Sequence, residues 1–216
     1  PGKGKCRNNL IYTSLISEDK KTFCQWYYND QGYHGGHNQV VDPALMDEKF
    51  EREVKFLRLM SKEYPQHVPN FSINEKERKV YLDIDGADMW ELAGCTGTDY
   101  SHVLPDWQDQ ILDILKAHKS LGIHKYSIHP SSYFIVDGKL KSINYFFTYY
   151  DNEPNTNLAS VESHIYSDRQ EEMRKHIEAL GIDWHKPQPW STMNELCWNS
   201  FRTNYSEEFI SKVLNI

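Results

Sequence analysis

The sequence predicts an α+β fold in two parts, with strands early and helices late, on three observations. Short β-branched and aromatic runs come in pairs before Gly86, and one long amphipathic segment separates those pairs. Beyond Gly86, a second amphipathic segment leads into a further strand pair and a helical tail. The division places strand hairpins and one helix in residues 1–85. A helical part fills residues 86–216, around a hairpin-bearing stretch at 122–150.

Taken in order, residues Asn9 to Asp30 read as two strands around a turn. Leu10, Tyr12 and Ser14 alternate with their neighbours, Ser17 to Lys21 carry turn chemistry, and Thr22 to Tyr28 are β-branched and aromatic. The glycine-bearing run Gln31 to Gln39 lacks phosphate-loop spacing and reads as a flexible connection. Asp42 and Pro43 start a helix as cap and first residue, and Phe50, Val54, Leu57 and Met60 form its apolar face to about Glu63. Glu51 and Glu53 are expected on its other faces. Two prolines between Tyr64 and Phe71 end it, and Asn70 to Asp85 form a hairpin that turns over Asn74 to Arg78.

Gly86 breaks the second strand, and Ala87 to Gly94 read as a short helix or turn. Trp107, Ile111, Leu115 and His118 line one side of a helix over Asp106 to Ser120, which Gly122 terminates. His118 is expected at the core edge, not as a ligand. Tyr133 to Val136 and Lys139 to Phe146 flank Asp137-Gly138, a strong hairpin signal. Past Tyr150 comes a polar loop, then three capped helices. Ser167 with Gln170 makes a capping box, Ser191 precedes the second helix and Ser206 the third.

Composition narrows the function classes. Twenty-four Lys and Arg against 31 Asp and Glu give a net charge of −7, which argues against a nucleic-acid backbone as partner. No apolar run reaches the ~20 residues of a membrane span. The four cysteines Cys6, Cys24, Cys95 and Cys197 lie far apart, a pattern that fits free thiols in a reducing cytoplasm. His34 and His37 form an HxxH pair, but zinc needs a third or fourth ligand that the sequence does not place.

The stretch Leu121 to Tyr150 organises the rest: a helix end, a polar loop, a β-hairpin and a second polar loop. That order, with the element order around it, resembles the protein-kinase-like fold, in which H-R-D, a short hairpin and D-F-G follow one another. Aligned on Gly122-Ile123 and on Pro130, the chain reads K-Y-S at Lys125 to Ser127, I-H-P-S-S at Ile128 to Ser132, and N-Y-F at Asn144 to Phe146. The resemblance implies a two-lobed fold, with a small sheet and an αC-type helix in the first lobe and a reduced, mostly helical second lobe. It puts Glu53 at the ion-pairing glutamate, Trp26 or Gln25 at the strand lysine, and Ile84 to Glu91 at the hinge. No A-P-E signature is visible. Trp26-Tyr27-Tyr28-Asn29-Asp30, VVDPALMDEKF at residues 40–50 and HPSSYFIVDGKLKSINYFF at 129–147 also resemble uncharacterised kinase-like proteins of marine cyanophages.

The departures bear on chemistry. Phosphoryl transfer is mainly positioning and charge neutralisation, with an Asp orienting the attacking hydroxyl and Asn and Asp holding Mg²⁺. Ser127, Ser132 and Asn144 stand at those positions, and no lysine stands opposite Glu53. Magnesium prefers hard, charged oxygens, so the standard metal site is expected to be lost. The expectation is a pseudokinase that binds a protein partner without standard phosphotransfer, as a phage-encoded modulator of host processes. Gln25, Trp26, Glu53, Asp85, His129 and Asn144 are the candidate cleft residues, and ATP or another nucleotide is admitted only without a standard Mg²⁺ site. One alternative is an atypical transferase in which His129 or Asp151 replaces the lost acids. Another is a structural or assembly protein. The plainest is an unrelated α+β domain in which Ser127, Ser132 and Asn144 are ordinary loop polars. Trp26, Tyr27, Tyr28 and Tyr33 are expected to close the cleft.

Overall fold

The computed structural model describes residues 12–27, 33–34, 40–41, 43–153, 175, 177–183 and 186–216. Its first part is an antiparallel sheet of four strands: β1 (Thr13–Ile16), β2 (Thr22–Trp26), β5 (Phe71–Asn74) and β6 (Lys79–Asp83), in the order β1-β2-β6-β5. Between them a two-residue ladder joins β3 (Tyr33–His34) to β4 (Val40–Val41), so Tyr33 and His34, expected within a flexible connection, are paired strand. The helix α1 (Pro43–Glu63) follows. The cap assigned to Asp42 lies outside the described residues.

Phe50, Val54, Leu57 and Met60 are buried as their spacing predicts. Glu53 is buried too, which corrects its assignment to another face, whereas Glu51 is exposed. Helical geometry explains the difference. Glu53 lies three residues from Phe50 and Phe56 and four from Lys49 and Leu57, and all of these are buried.

The second part begins with α2 (Met89–Leu92), capped by Asp88, whose side chain accepts from the Glu91 N–H at 2.9 Å. The helix α3 (Trp107–Ser120) buries Trp107, Ile111, Leu115 and His118 and ends at Gly122, whose φ of +63° is left-handed. Strand β7 (Ile123–Lys125) pairs with β10 (Thr148–Tyr150). Between these, β8 (Tyr133–Val136) pairs with β9 (Lys139–Ser142). Asp137 and Gly138 both take positive φ, 51° and 73°, which is the twist a two-residue hairpin turn requires.

In the tail, residues 177–180 are helical, while Ser167 and Gln170 lie outside the described residues. The helix α4 (Trp190–Asn199) starts before Ser191, with Pro189 as its N-cap residue and no side-chain cap. The Trp190 indole donates to the Ile123 carbonyl at 2.8 Å, which fixes the helix start against β7. In α5 (Glu207–Leu214) the predicted cap is present, since Ser206 Oγ accepts from the Phe209 N–H at 3.2 Å.

Buried side chains of both parts form one continuous core. The sheet meets the hairpin through Phe23 on Phe134 and Tyr12 on Phe146, with ring centroids 5.4 Å and 5.9 Å apart. Cys24 and Cys197 are free and buried, but Cys95 is disulfide-bonded. The free-thiol expectation is therefore corrected at Cys95, and wide sequence separation did not exclude a bridge there. Among the described residues no helix is long and apolar enough to cross a membrane.

The two serines near helix starts give a direct test. Ser206→Ala removes a cap and should lower stability by about 1 kcal/mol, whereas Ser191→Ala, within the first turn, should change it by less than about 0.5 kcal/mol. Chemical denaturation of the two variants checks this; equal losses would refute the cap assignment.

Candidate functional site

The candidate residues from four segments meet where the sheet rests on the hairpin. Gln25 arrives on β2, Ser127 just after β7, Ser132 in the 3-10 turn Pro130–Ser132, and Asn144 just after β9. Asn144 has φ 68° and ψ 57°, a left-handed conformation that asparagine tolerates better than most residues. The base of the hairpin is tied by the Ile143 N–H, which donates to the Ser132 carbonyl at 2.9 Å. This brings together Ser132 and Asn144, which are twelve positions apart.

Their side chains form a chain of hydrogen bonds. Asn144 Nδ2 donates to Ser132 Oγ at 2.8 Å, and Ser132 Oγ lies 3.2 Å from Ser127 Oγ. Asn144 Oδ1 accepts from Gln25 Nε2 at 3.0 Å and from the Tyr12 hydroxyl at 2.6 Å. Both acceptor positions of the amide oxygen are thus engaged. Gln25, Ser132 and Asn144 are buried, and Ser127 is half-buried.

Behind this chain lies Glu53, fully buried. Among the described residues neither of its oxygens makes a hydrogen bond of good geometry, nor does the Tyr27 hydroxyl or Gln25 Oε1. Burial pushes the Glu53 carboxyl up to about 7, against the opposing pull of Lys125 and of nearby donors on Tyr145, Gln25 and Phe146. Lys125 is buried as well. Its Nζ donates to the Ser127 carbonyl and sits 5.6 Å and 5.3 Å from the ring centroids of Tyr133 and Tyr145. Burial lowers its ammonium to about 7, while Glu53 draws it upward.

The other candidates lie elsewhere. Trp26 follows Gln25 on the strand and so points to the opposite face of the sheet, where Lys79 Nζ lies 4.8 Å from its ring. Its assignment to the cleft is therefore corrected, and of the two residues offered for that position Gln25 faces Asn144. Tyr27, on the same face as Gln25, is buried against Tyr12 and Phe50. Tyr28 lies outside the described residues. Asp85 is exposed and bonded to the Lys21 ammonium. His129 caps the 3-10 turn, with Nδ1 accepting from the Ser131 N–H at 3.1 Å, and its ring meets Trp90 edge-on at 5.0 Å. Asp151 sits at the far end of β10, its N–H donating to the Gly122 carbonyl at 2.9 Å.

His118 lies deeper than the core edge, fully buried with Nε2 3.0 Å from the Tyr145 hydroxyl. Among the described residues no group of three or more His, Cys, Asp or Glu side chains could hold a metal ion. His37 lies outside them.

Sequence reasoning missed three participants. Tyr12 read only as an alternating strand residue, and nothing local marks a bond to a residue 132 positions away. Lys125 stands beside His124 in a stretch that reads as a polar loop, and nothing local marks its burial. Lys49 is fully buried on α1, bonded to the Tyr149 hydroxyl at 3.1 Å and to Glu48 at 2.6 Å, and burial lowers it to about 8.

A metal-binding reading fails on donor chemistry. The chain from Ser127 to Gln25 contains no carboxylate, and both acceptor positions of Asn144 Oδ1 are taken by its neighbours. Magnesium favours charged oxygens in octahedral array, so these residues do not fit it. A scan against protein-family models finds no match to the chain, and a search of curated proteins finds none either.

The raised carboxyl has a signed consequence. The contribution of Glu53 is fully present below its ordinary value of 4.5 and is lost as pH rises through about 7. Lys125 has the opposite sign, with stability recovering as pH rises from about 7 toward 10.5. Glu53→Gln should remove the fall between pH 4.5 and 7, which amounts to at most about 3 kcal/mol at 1.36 kcal/mol per pKa unit. Denaturation curves of both proteins across that range test it; parallel pH profiles would count against the assignment.

Proposed function

We propose that this chain is a two-lobed, kinase-like protein that has given up standard phosphoryl transfer and acts by binding a protein partner. One observation carries the reading. Ser127, Ser132 and Asn144, at the positions where the kinase resemblance expects two acids and a metal-binding asparagine, are joined to one another and closed by Gln25 and Tyr12. Gln25 faces this cluster from the strand, and Glu53 lies behind it on α1, which is the relation of the kinase lysine and glutamate without the lysine charge. A neutral network spent on internal hydrogen bonds neither orients a hydroxyl for attack nor neutralises a transferring phosphoryl group.

The atypical-transferase alternative gains less support. Asp151 is held at the opposite end of β10 from Thr148, the residue paired with Lys125. His129 is engaged with Ser131 and packed on Trp90. A phage origin and a cytoplasmic setting remain part of the proposal and rest on the sequence resemblance alone, the cytoplasmic setting without the thiol argument at Cys95.

Thermal unfolding with ATP, ADP and GTP, each with and without Mg²⁺ or Mn²⁺, tests the loss of transfer. The expected result is no shift. A ligand at a hundred times its Kd would add ~2.7 kcal/mol and raise the midpoint by several degrees. A metal-dependent rise abolished by Asn144→Leu would overturn the reading.

A further inference from the structure

The first described residue reaches into the middle of the candidate site. Tyr12 immediately precedes β1, the edge strand of the sheet, and is 2% exposed. Its hydroxyl donates to Asn144 Oδ1 at 2.6 Å. Its ring rests on Phe146, Phe23 and Tyr27, with centroids 5.9, 6.1 and 5.5 Å away. The surroundings therefore supply what a phenol needs, an aromatic box around the ring and a buried amide oxygen at its tip.

The strand that follows this tyrosine lies at the edge of the described sheet. Of the four residues of β1, Thr13, Leu15 and Ile16 are half-buried and only Ser14 is buried. Among the described residues β1 pairs on one side alone, with β2. The Tyr12 side chain is the deeply inserted group at its start.

We propose that Gln25, Asn144, Phe23, Tyr27 and Phe146 form a phenol-binding site, occupied in cis by Tyr12, so that β1 is a releasable latch over the Ser132–Asn144 network. The proposal rests on the reading of that network as the closed centre of a partner-binding protein, and it names what closes it. With Tyr12 seated, Asn144 Oδ1 has no acceptor position left. With Tyr12 withdrawn, Asn144 and Gln25 face an open polar pocket on the hairpin side of the sheet, flanked by an unpaired β2 edge. An extended segment carrying a tyrosine meets both requirements at once.

Chemical rescue tests the site. In Tyr12→Gly, p-cresol should raise the thermal midpoint and slow amide exchange at residues 13–16. Toluene, which lacks the hydroxyl, should bind at least about fivefold more weakly, the value of one buried hydrogen bond. Should Tyr12→Gly fail to fold, Tyr12→Phe keeps the ring and removes only the donor; exchange at residues 13–16 should then quicken about tenfold with the second part of the chain unchanged. Equal binding of p-cresol and toluene, absence of rescue, or exchange unchanged or raised uniformly in Tyr12→Phe would each overturn the site. A Mg²⁺-dependent nucleotide shift in the unsubstituted protein would instead remove the partner-binding reading and leave the phenol site standing.

Discussion

A primary amide buried between a sheet and a hairpin has to find its hydrogen bonds within the protein, and that requirement at Asn144 governs the arrangement around it. An unbonded amide in that position would cost several kcal/mol. Its partners come from Tyr12 and Gln25 in the sheet and from Ser132 on the other side of the hairpin. The sheet is thereby oriented on the second part of the chain by directional bonds as well as by the ring contacts of Phe23 and Phe134. Apolar packing alone accepts several neighbouring registers, whereas hydrogen bonds at 2.6–3.0 Å accept very few.

Most elements were legible because each carries a local signal. Asp137-Gly138 marks its hairpin through the positive φ it must adopt, and the spacing of Trp107, Ile111 and Leu115 marks α3. Ser206 announces α5 through its own hydroxyl. The failures share a different cause. The charge of Glu53 points outward in the sequence, whereas its helical position points inward, since its neighbours three and four residues away are all buried. The start of α4 is set by the Trp190 bond to the Ile123 carbonyl, a tertiary contact with no trace in nearby residues. At the site, hydrogen bonds join Ser127, Ser132 and Asn144, the three positions that the alignment on Pro130 singles out, while alternation along β2 decides between Gln25 and Trp26.

The interior around the site holds three ionisable side chains. Glu53, Lys125 and Lys49 are all buried, and the first two influence each other without an ion pair within 4 Å. Such groups weaken a core unless they are matched, and their usual justification is specificity of arrangement. Here they occupy the shared boundary of α1, β7 and the turn at Tyr145–Phe147. Lys49 is matched by Glu48 and Tyr149, so it fastens α1 to β10 with little imbalance. Among the described residues Glu53 forms no ion pair of that kind, and burial outweighs the pull of Lys125 on its carboxyl.

The two-residue turn at Asp137-Gly138 also acts as a ruler. Each strand residue advances the chain by about 3.3 Å, longer than any hydrogen bond in the network. Two strands of four residues and a turn of fixed length bring the chain back so that Tyr133 stands opposite Ser142. From there the next residues outward are Ser132 on one side and Ile143 and Asn144 on the other. Adding or deleting a residue in the turn would slide one arm past the other and carry Asn144 out of reach of Ser132. The chemistry of this site is therefore measured out at the opposite end of the hairpin, in solvent, by two residues that touch none of it.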